Sequence, residues 1–167
     1  MKQLAYINHY PAQVVEQVKS LIKTEKLGHY LRKKYPEPHD INTEKQLYQY
    51  TQKLKASYIK QSNPISKVIY DPKIHLYKNA LGTHSFVSRV QGSKLKSKQE
   101  IRIASLFKQA PLAMLNMIVV HELAHLKEKE HNKAFYKLCE YMQSDYHQLE
   151  LDTRLFLIFN ELNGDLY

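Results

Sequence analysis

The stretch MIVVHELAHLKEKEH at residues 117–131 contains two histidines and a glutamate at a spacing that suits metal-dependent hydrolysis. His121 and His125 are four residues apart, so on a helix they project from one face about one turn apart. Two imidazoles placed in this way can take two corners of a tetrahedral zinc site. Glu122 projects about 100° round the helix from His121, where a carboxylate can accept a proton from a metal-activated water. The pattern predicts His121 and His125 as metal ligands and Glu122 as the catalytic acid/base.

Two surface histidines and a glutamate can also match so short a pattern by chance. The residues before His121, at 117–120, are wholly apolar, which indicates that the histidines emerge from a buried helix. Unpaired polar groups are costly in such a place. Ala124 is small and allows close packing against a neighbouring element. We therefore favour a metal site over a pair of surface histidines.

His131 is the candidate for a third ligand, but it follows His121 by ten residues. A continuous helix would carry it about 15 Å along the axis, which is too far to share one ion. The chain must bend after Leu126 if His131 is a ligand, and the connecting segment has no glycine to ease the bend. If His131 instead caps the next helix, the third ligand would be an acidic residue such as Glu140 or Glu150. We favour His131 because zinc prefers imidazole ligands.

Apolar spacing and turn residues predict the elements that position this motif. Five helices are predicted. The first covers about 11–31, the second runs from Asn42 or Thr43 to Asn63, and the third runs from Pro111 through the motif. The last two cover 132–143 and 149–162. Between the second and third of these helices, β-rich runs at 68–70, 74–77, 85–90 and 101–104 predict three or four short strands. The basic stretch 93–99 is interpreted as a hairpin end or loop.

These elements predict one α+β domain over residues 1–167. Residues 1–62 form a helical lead-in of two helices, and residues 63–167 contain the small sheet and the site helices. The helical C-terminal half includes the buried helix that carries the metal motif. No internal repeat or low-complexity segment divides the chain.

Composition limits the compartment and the class of partner that we expect for the protein, but it does not identify a substrate. The formal net charge of +9 attracts anions such as nucleic acid, nucleotides or acidic substrates, but no nucleic-acid-binding motif accompanies it. The one cysteine, Cys139, cannot form an internal disulfide, and its apolar neighbours predict a buried, inert thiol. No secretory signal or membrane-spanning run is visible, so we expect a cytoplasmic protein that is a monomer and has no membrane partner.

Residues that could contact a substrate are harder to identify. His84 and Arg89 belong to the predicted strand just before the site helix, where an edge strand could hold an extended peptide. Arg89 and Arg102, or the lysines at 94, 96 and 98, could instead hold phosphate oxygens. Arginines on the surface of a sheet are the ordinary alternative. A nucleotide would depend on such side chains and the metal, since the sequence has no Walker-type phosphate loop.

The stretch IVVHELAHLKEKEHNKAFYKLC at 118–139 resembles the YgjP-like family of metal-dependent hydrolases, which is related to the zincin metallopeptidases. The resemblance extends over nearly the whole chain, including YPEPHD, NPISKVIYDPKIH and KNALGTHSFVSRVQG. It implies a zincin-like α+β core with His121, His125 and His131 as ligands and Glu122 as the acid/base. Many broader relatives carry a Trp-Gly-Ser-Cys-like segment before the site helix, whereas this chain has VQGS at 90–93. A substrate contact made by that segment in relatives is therefore not expected here.

Three hypotheses for function follow. The first is a zinc-dependent metallohydrolase of the metallopeptidase kind that cleaves peptides. The second, which the family resemblance implies, is a nucleotide pyrophosphatase that splits UTP into UMP and diphosphate at the same site, with zinc, magnesium or manganese. The third is a nucleic-acid-associated protein whose metal is structural, and the water position implied by Glu122 counts against it.

Overall fold

The structure, a computed structural model, describes residues 2–74, 82–91 and 94–167, and of residues 82–91 and 94–98 it describes the backbone. Within these ranges the chain forms six α-helices and one sheet of three strands. Short 3-10 segments lie at Lys2–Tyr6 and Ser105–Gln109. The mixed helix-and-sheet composition expected from the sequence is confirmed.

The first helical region is two helices, α1 (Ala12–Lys23) and α2 (Leu27–Lys34), so the prediction of one helix over 11–31 is wrong. The break lies at Glu25, whose φ of 55° is in the left-handed region that ends a right-handed helix. Gly28, which the sequence suggested as a helix end, lies inside α2. A Cβ there would come within 2.6 Å of the Phe159 ring, so the glycine permits a close approach between helices.

The third helix, α3 (Glu44–Tyr58), begins at the predicted cap. Thr43 and Gln46 form a reciprocal capping box, in which the Thr43 hydroxyl accepts from the Gln46 backbone N–H. The helix packs against strand β1 (Ile65–Asp71), which lies at one edge of the sheet that the described strands form.

The remaining strands are β2 (Gly82–Gln91) and β3 (Lys94–Ala104), and the strand order is β1-β3-β2. β3 pairs in parallel with β1 and in antiparallel register with β2 from Gln91↔Lys94 onward. The prediction of a hairpin end or loop over 93–99 is therefore wrong for 94–99, which lie in β3, the second strand of a hairpin with β2. Cross-strand hydrogen bonds with β2 override the low strand preference of its lysines. The predicted strand at 74–77 lies outside the described residues except for its first position.

Three helices complete the fold: α4 (Leu112–Ala124), α5 (Lys133–Met142) and α6 (Tyr146–Asn163). α4 is buried over most of its length and packs against α3, α5, α6, β2 and β3. The prediction that the motif lies on a buried helix is confirmed. Within the described ranges, no helix has the length and apolar character needed to cross a membrane.

A buried carboxylate ties α6 to α2. Asp152 is fully buried and accepts hydrogen bonds from the hydroxyls of Tyr30 at 2.9 Å and Tyr35 at 2.6 Å. Lys34 Nζ lies 2.6 Å from its second oxygen and offsets its charge. Because a buried charge is costly unless it is paired and hydrogen-bonded, these contacts let α6 pack against α2 in one arrangement.

Candidate metal centre

The chain turns sharply at the end of α4. The helix ends at Ala124, and His125 is its C-cap residue. The backbone N–H groups of Leu126 and Lys127 then bond to carbonyls three residues back, which tightens the last turn and directs the chain away from the helix axis. The bend expected near Leu126 is thus present, without any glycine.

The next helix begins at Asn132, not at His131. The Asn132 side chain accepts a hydrogen bond from the Phe135 backbone N–H at 2.9 Å and caps α5. The alternative in which His131 caps this helix is therefore wrong. The turn between α4 and α5 leaves the His131 side chain facing the two histidines of α4.

Three imidazole nitrogens converge at this turn. Nε2 of His131 lies 3.1 Å from Nε2 of His125 and 3.2 Å from Nε2 of His121. One ring nitrogen from each histidine lies within 4.8 Å of the others. Among the residues with described side chains, this is the one group of three or more potential ligands gathered around a point.

The spacing of these nitrogens fits a tetrahedral ion. Zinc–nitrogen bonds of 2.0–2.1 Å place the corners of a tetrahedron about 3.3 Å apart. The two Nε2–Nε2 distances of 3.1 and 3.2 Å are close to that value. Three protein ligands would leave a fourth corner for water or substrate, as catalytic zinc sites do.

The other nitrogen of each α4 histidine has a partner of its own. His125 Nδ1 lies 2.9 Å from the Glu128 carbonyl oxygen, which can only accept, so Nδ1 carries the proton. His121 Nδ1 lies 2.7 Å from the Tyr146 hydroxyl. Such outer contacts set the ring orientation and leave Nε2 free to bind a metal.

An aromatic side chain supports all three rings. The Phe135 ring lies 4.9 Å from the rings of His121 and His131 and 4.6 Å from that of His125, between ring centroids. Phe135 is fully buried on α5. Its contacts hold the three imidazoles in place from one side, so α5 supplies a packing surface for the rings, while His131 comes from the turn just before it.

Burial keeps the two α4 histidines neutral. Desolvation, with a smaller contribution from charge repulsion by the nearby His125 and His131, lowers the pKa of His121 to about 3. Desolvation also lowers the pKa of His125. At neutral pH these rings therefore carry unprotonated nitrogens, as metal ligands must.

Glu122 is a buried carboxyl whose Oε2 has no hydrogen-bond partner among the described residues. It is 2% exposed, and desolvation raises its pKa to about 8. An unpaired carboxyl in a core is destabilising, so structural stability does not account for it. Buried acids with strongly shifted pKa values occur preferentially at active sites.

The alternative acidic ligands are engaged elsewhere. Glu140 pairs with His147 Nε2 at 2.9 Å, and Glu150 pairs with Arg154 at 3.1 Å. Neither belongs to the histidine cluster. Cys139 is fully buried and desolvation raises its pKa to about 12, which confirms the expectation of an unreactive thiol.

The candidate substrate residues are only partly described. The side chains of His84 and Arg89 and of the lysines at 94, 96 and 98 lie outside the described part of the chain. Arg102 lies 3.2 Å from Asp71 and 3.4 Å from Glu100, so two carboxylates already bind its guanidinium. Among the described strands β2 lies at an edge of the sheet, and it packs against α4, as the peptide hypothesis requires.

Sequence reasoning missed the part of α6 that lies against the site. Tyr146 contacts His121 from 25 positions along the chain, and the charge of Arg154 helps to lower the His121 pKa. Glu150 and Arg154 at i and i+4 were recognisable as a helical ion pair. Nothing local in the sequence indicates that either α6 residue approaches the metal motif.

The metal-free protein should lose stability between pH 6.5 and 8. In this window folded Glu122 retains a proton that the unfolded chain, with a carboxyl pKa near 4.5, has lost. The folded state thus binds more protons, and the free energy of unfolding falls by up to about 1.4 kcal/mol per pH unit. Below pH 6.5 the lowered pKa of His121 acts in the opposite direction, because the unfolded histidine gains protons first. Denaturant unfolding at both ends of the window measures this slope. The variant Glu122→Gln should abolish it. An equal slope in the variant and the wild type would contradict the attribution of the slope to Glu122.

Comparisons with known proteins identify a family and a similar protein. A family model described as "YgjP-like, metallopeptidase domain" matches residues 7–154. A protein of Escherichia coli (strain K12) named UTP pyrophosphatase is 59% identical over 157 residues, which cover 94% of each chain. No solved structure matches the chain.

Proposed function

This chain belongs to the YgjP-like family, and from that premise we propose that it is a metal-dependent hydrolase of nucleoside triphosphates, with UTP as its substrate. Its standing as a hydrolase follows from its similarity to the Escherichia coli enzyme. The metal dependence, the ligand set and the substrate are the proposal. The observation that carries it is the convergence of three imidazole nitrogens, together with a buried carboxyl on the residue after His121 whose Oε2 has no partner in the described part of the chain.

In this proposal His121, His125 and His131 hold one divalent ion, with zinc as the ion that their nitrogens favour. When bound, the ion would lower the pKa of a water molecule toward neutrality and polarise an oxygen of the substrate. The rest of the site belongs to the chain. The neutral imidazoles bind the ion without competition from protons, and Phe135 keeps their rings in position.

Glu122 performs the proton transfers. Its Oε2 has no partner in the described part of the chain and is free to accept the proton of the attacking water. For UTP, water attacks the α-phosphorus, the bond to the bridging oxygen breaks, and UMP and diphosphate are released. Glu122 then returns the proton to an oxygen of the products. Its raised pKa suits this exchange, because a carboxyl that titrates near neutral pH can both accept and donate.

The choice of UTP rests on the name of the similar Escherichia coli enzyme and on the net positive charge of this chain. A positive field raises the local concentration of an anionic substrate. The zincin-like arrangement that the family resemblance implies is part of the same proposal. His84, Arg89 and the lysines at 94, 96 and 98 remain the candidates for phosphate contacts, while Arg102 would first have to leave its carboxylate partners.

Peptide hydrolysis is the second candidate, and one structural observation favours it. β2 has a free edge in the sheet of described strands and packs against the site helix α4. An extended peptide could add to that edge through backbone hydrogen bonds and place a carbonyl group near the histidines. The metallopeptidase description of the family agrees with this reading.

The two candidates are separated by offering both substrate classes to the same protein. The purified chain is stripped with a chelator, divided, and reloaded with zinc, magnesium or manganese. Each sample receives the four nucleoside triphosphates and, separately, a degenerate peptide library. We expect diphosphate release from UTP in a reloaded sample, and none in the stripped one.

The outcomes lead to different conclusions. Diphosphate release that survives complete chelation would contradict the metal dependence. Peptide cleavage without any diphosphate release would replace the nucleotide by a peptide and retain the site. Measured product ratios distinguish UMP plus diphosphate from UDP plus phosphate, and the latter would contradict attack at the α-phosphorus.

A further inference from the structure

Tyr146 is a fully buried residue in direct contact with the candidate metal centre. It is the first residue of α6, and its hydroxyl oxygen lies 2.7 Å from His121 Nδ1. Its ring is nearly parallel to the His121 ring, with 21° between the planes. Because the residue is sealed from solvent, water cannot take over the contact if the hydroxyl is removed.

The direction of this hydrogen bond depends on the tautomer of His121. A neutral imidazole carries one proton, on either Nδ1 or Nε2. His121 Nε2 faces His131 Nε2 at 3.2 Å and must be unprotonated to bind a metal there. The proton then lies on Nδ1, which donates to the Tyr146 oxygen. The reverse bond, with the hydroxyl as donor, would place a proton on Nε2 and block the site.

A second group can accept the hydroxyl hydrogen of Tyr146. The thiol of Cys139 is buried on α5, and hydrogen bonding with it contributes to the raised pKa of Tyr146. A phenol O–H is a stronger donor than a thiol, and thiol sulfur can accept. When the hydroxyl hydrogen is directed to Cys139, the lone pairs of the oxygen remain for the N–H of His121.

We propose that Tyr146 is a positioning residue that selects the Nδ1–H tautomer of His121 and directs its Nε2 lone pair to the point shared with His125 and His131. This rests on the proposed function, since it assumes a metal at that point. Outer-shell partners of histidine ligands contribute about 10- to 100-fold in metal affinity. The same loss is expected when the hydroxyl of Tyr146 is removed.

The experiment compares Tyr146→Phe with Tyr70→Phe. Tyr70 is also buried, and its hydroxyl donates a hydrogen bond of 2.6 Å to the Ile41 carbonyl, which is not part of the cluster of His121, His125 and His131. Zinc affinity is measured by competition with a chromophoric chelator, and the absorption spectrum of the cobalt-substituted protein reports ligand geometry. We expect Tyr146→Phe to bind zinc about 10- to 100-fold more weakly with an altered cobalt spectrum, and Tyr70→Phe to match the wild type.

Equal zinc affinity and spectra in Tyr146→Phe and the wild type would overturn the proposal. Nitrogen NMR of the metal-free wild type gives an independent reading that needs no variant to fold. It should show the His121 proton on Nδ1, protected from exchange, and a proton on Nε2 would overturn the proposal. If the wild type binds no zinc, the metal proposal fails, whereas the tautomer measurement still decides the role of Tyr146.

Discussion

Replacing Glu122 with glutamine is expected to lower the turnover number for hydrolysis by about 10²- to 10⁴-fold while the metal content of the protein stays unchanged. Glutamine has nearly the same shape as glutamate, so the packing around a side chain that is 2% exposed should be preserved. It cannot accept a proton from water. The loss should therefore appear in the turnover number more than in the Michaelis constant.

Two measurements make this expectation specific. Metal analysis of the purified variant should give the wild-type stoichiometry, because Glu122 is not one of the clustered ligands. Glu140→Gln is the matched control, since this carboxylate lies on α5 and pairs with His147 outside the cluster. Full activity in Glu122→Gln would show that the catalytic assignment is wrong, whichever substrate is used.

The second large effect is expected from His131→Ala, which removes one of three metal ligands. Zinc sites with four protein ligands bind with about 10–16 kcal/mol, or roughly 2.5–4 kcal/mol per ligand. At 1.4 kcal/mol per tenfold change, zinc affinity should fall by roughly 10²- to 10³-fold. Hydrolysis should fall with it and recover in part at high zinc concentration.

His147→Ala serves as the control for this variant. His147 lies beside the site, with its ring 5.4 Å from that of Tyr136, but its Nε2 pairs with Glu140 and not with the cluster. Zinc affinity in this control should equal that of the wild type. Undiminished metal occupancy in His131→Ala, measured at limiting zinc, would remove His131 from the ligand set and reopen the choice of an acidic ligand.

The fold could be predicted in outline because most elements are recorded in local patterns. The apolar spacing around α4 and the capping residues of α3 are such patterns, and both elements form as expected. The break at Glu25 was missed because α1 and α2 together present a nearly continuous helical pattern. β3 was missed over 94–99 because its lysines and serines acquire strand structure only by pairing with β2.

The histidine cluster also has one part that local sequence predicts and one part that depends on tertiary structure. The approach of His121 and His125 follows from four positions on one helix, a distance set by backbone geometry alone. The position of His131 does not follow in this way, because a bend of the required size can be made with or without glycine. The structure shows the turn, the Asn132 cap and the resulting convergence of three nitrogens.

The sequence by itself determined that two histidines and a glutamate lie on one turn of a buried helix, since helix periodicity depends on a few neighbouring residues. Only the tertiary structure decided that His131 returns to that turn and that Tyr146 contacts His121 from α6. These contacts join residues 10 and 25 positions apart. They depend on how α5 and α6 pack against α4. That packing results from many apolar contacts spread over the core, so no short stretch of the chain predicts it.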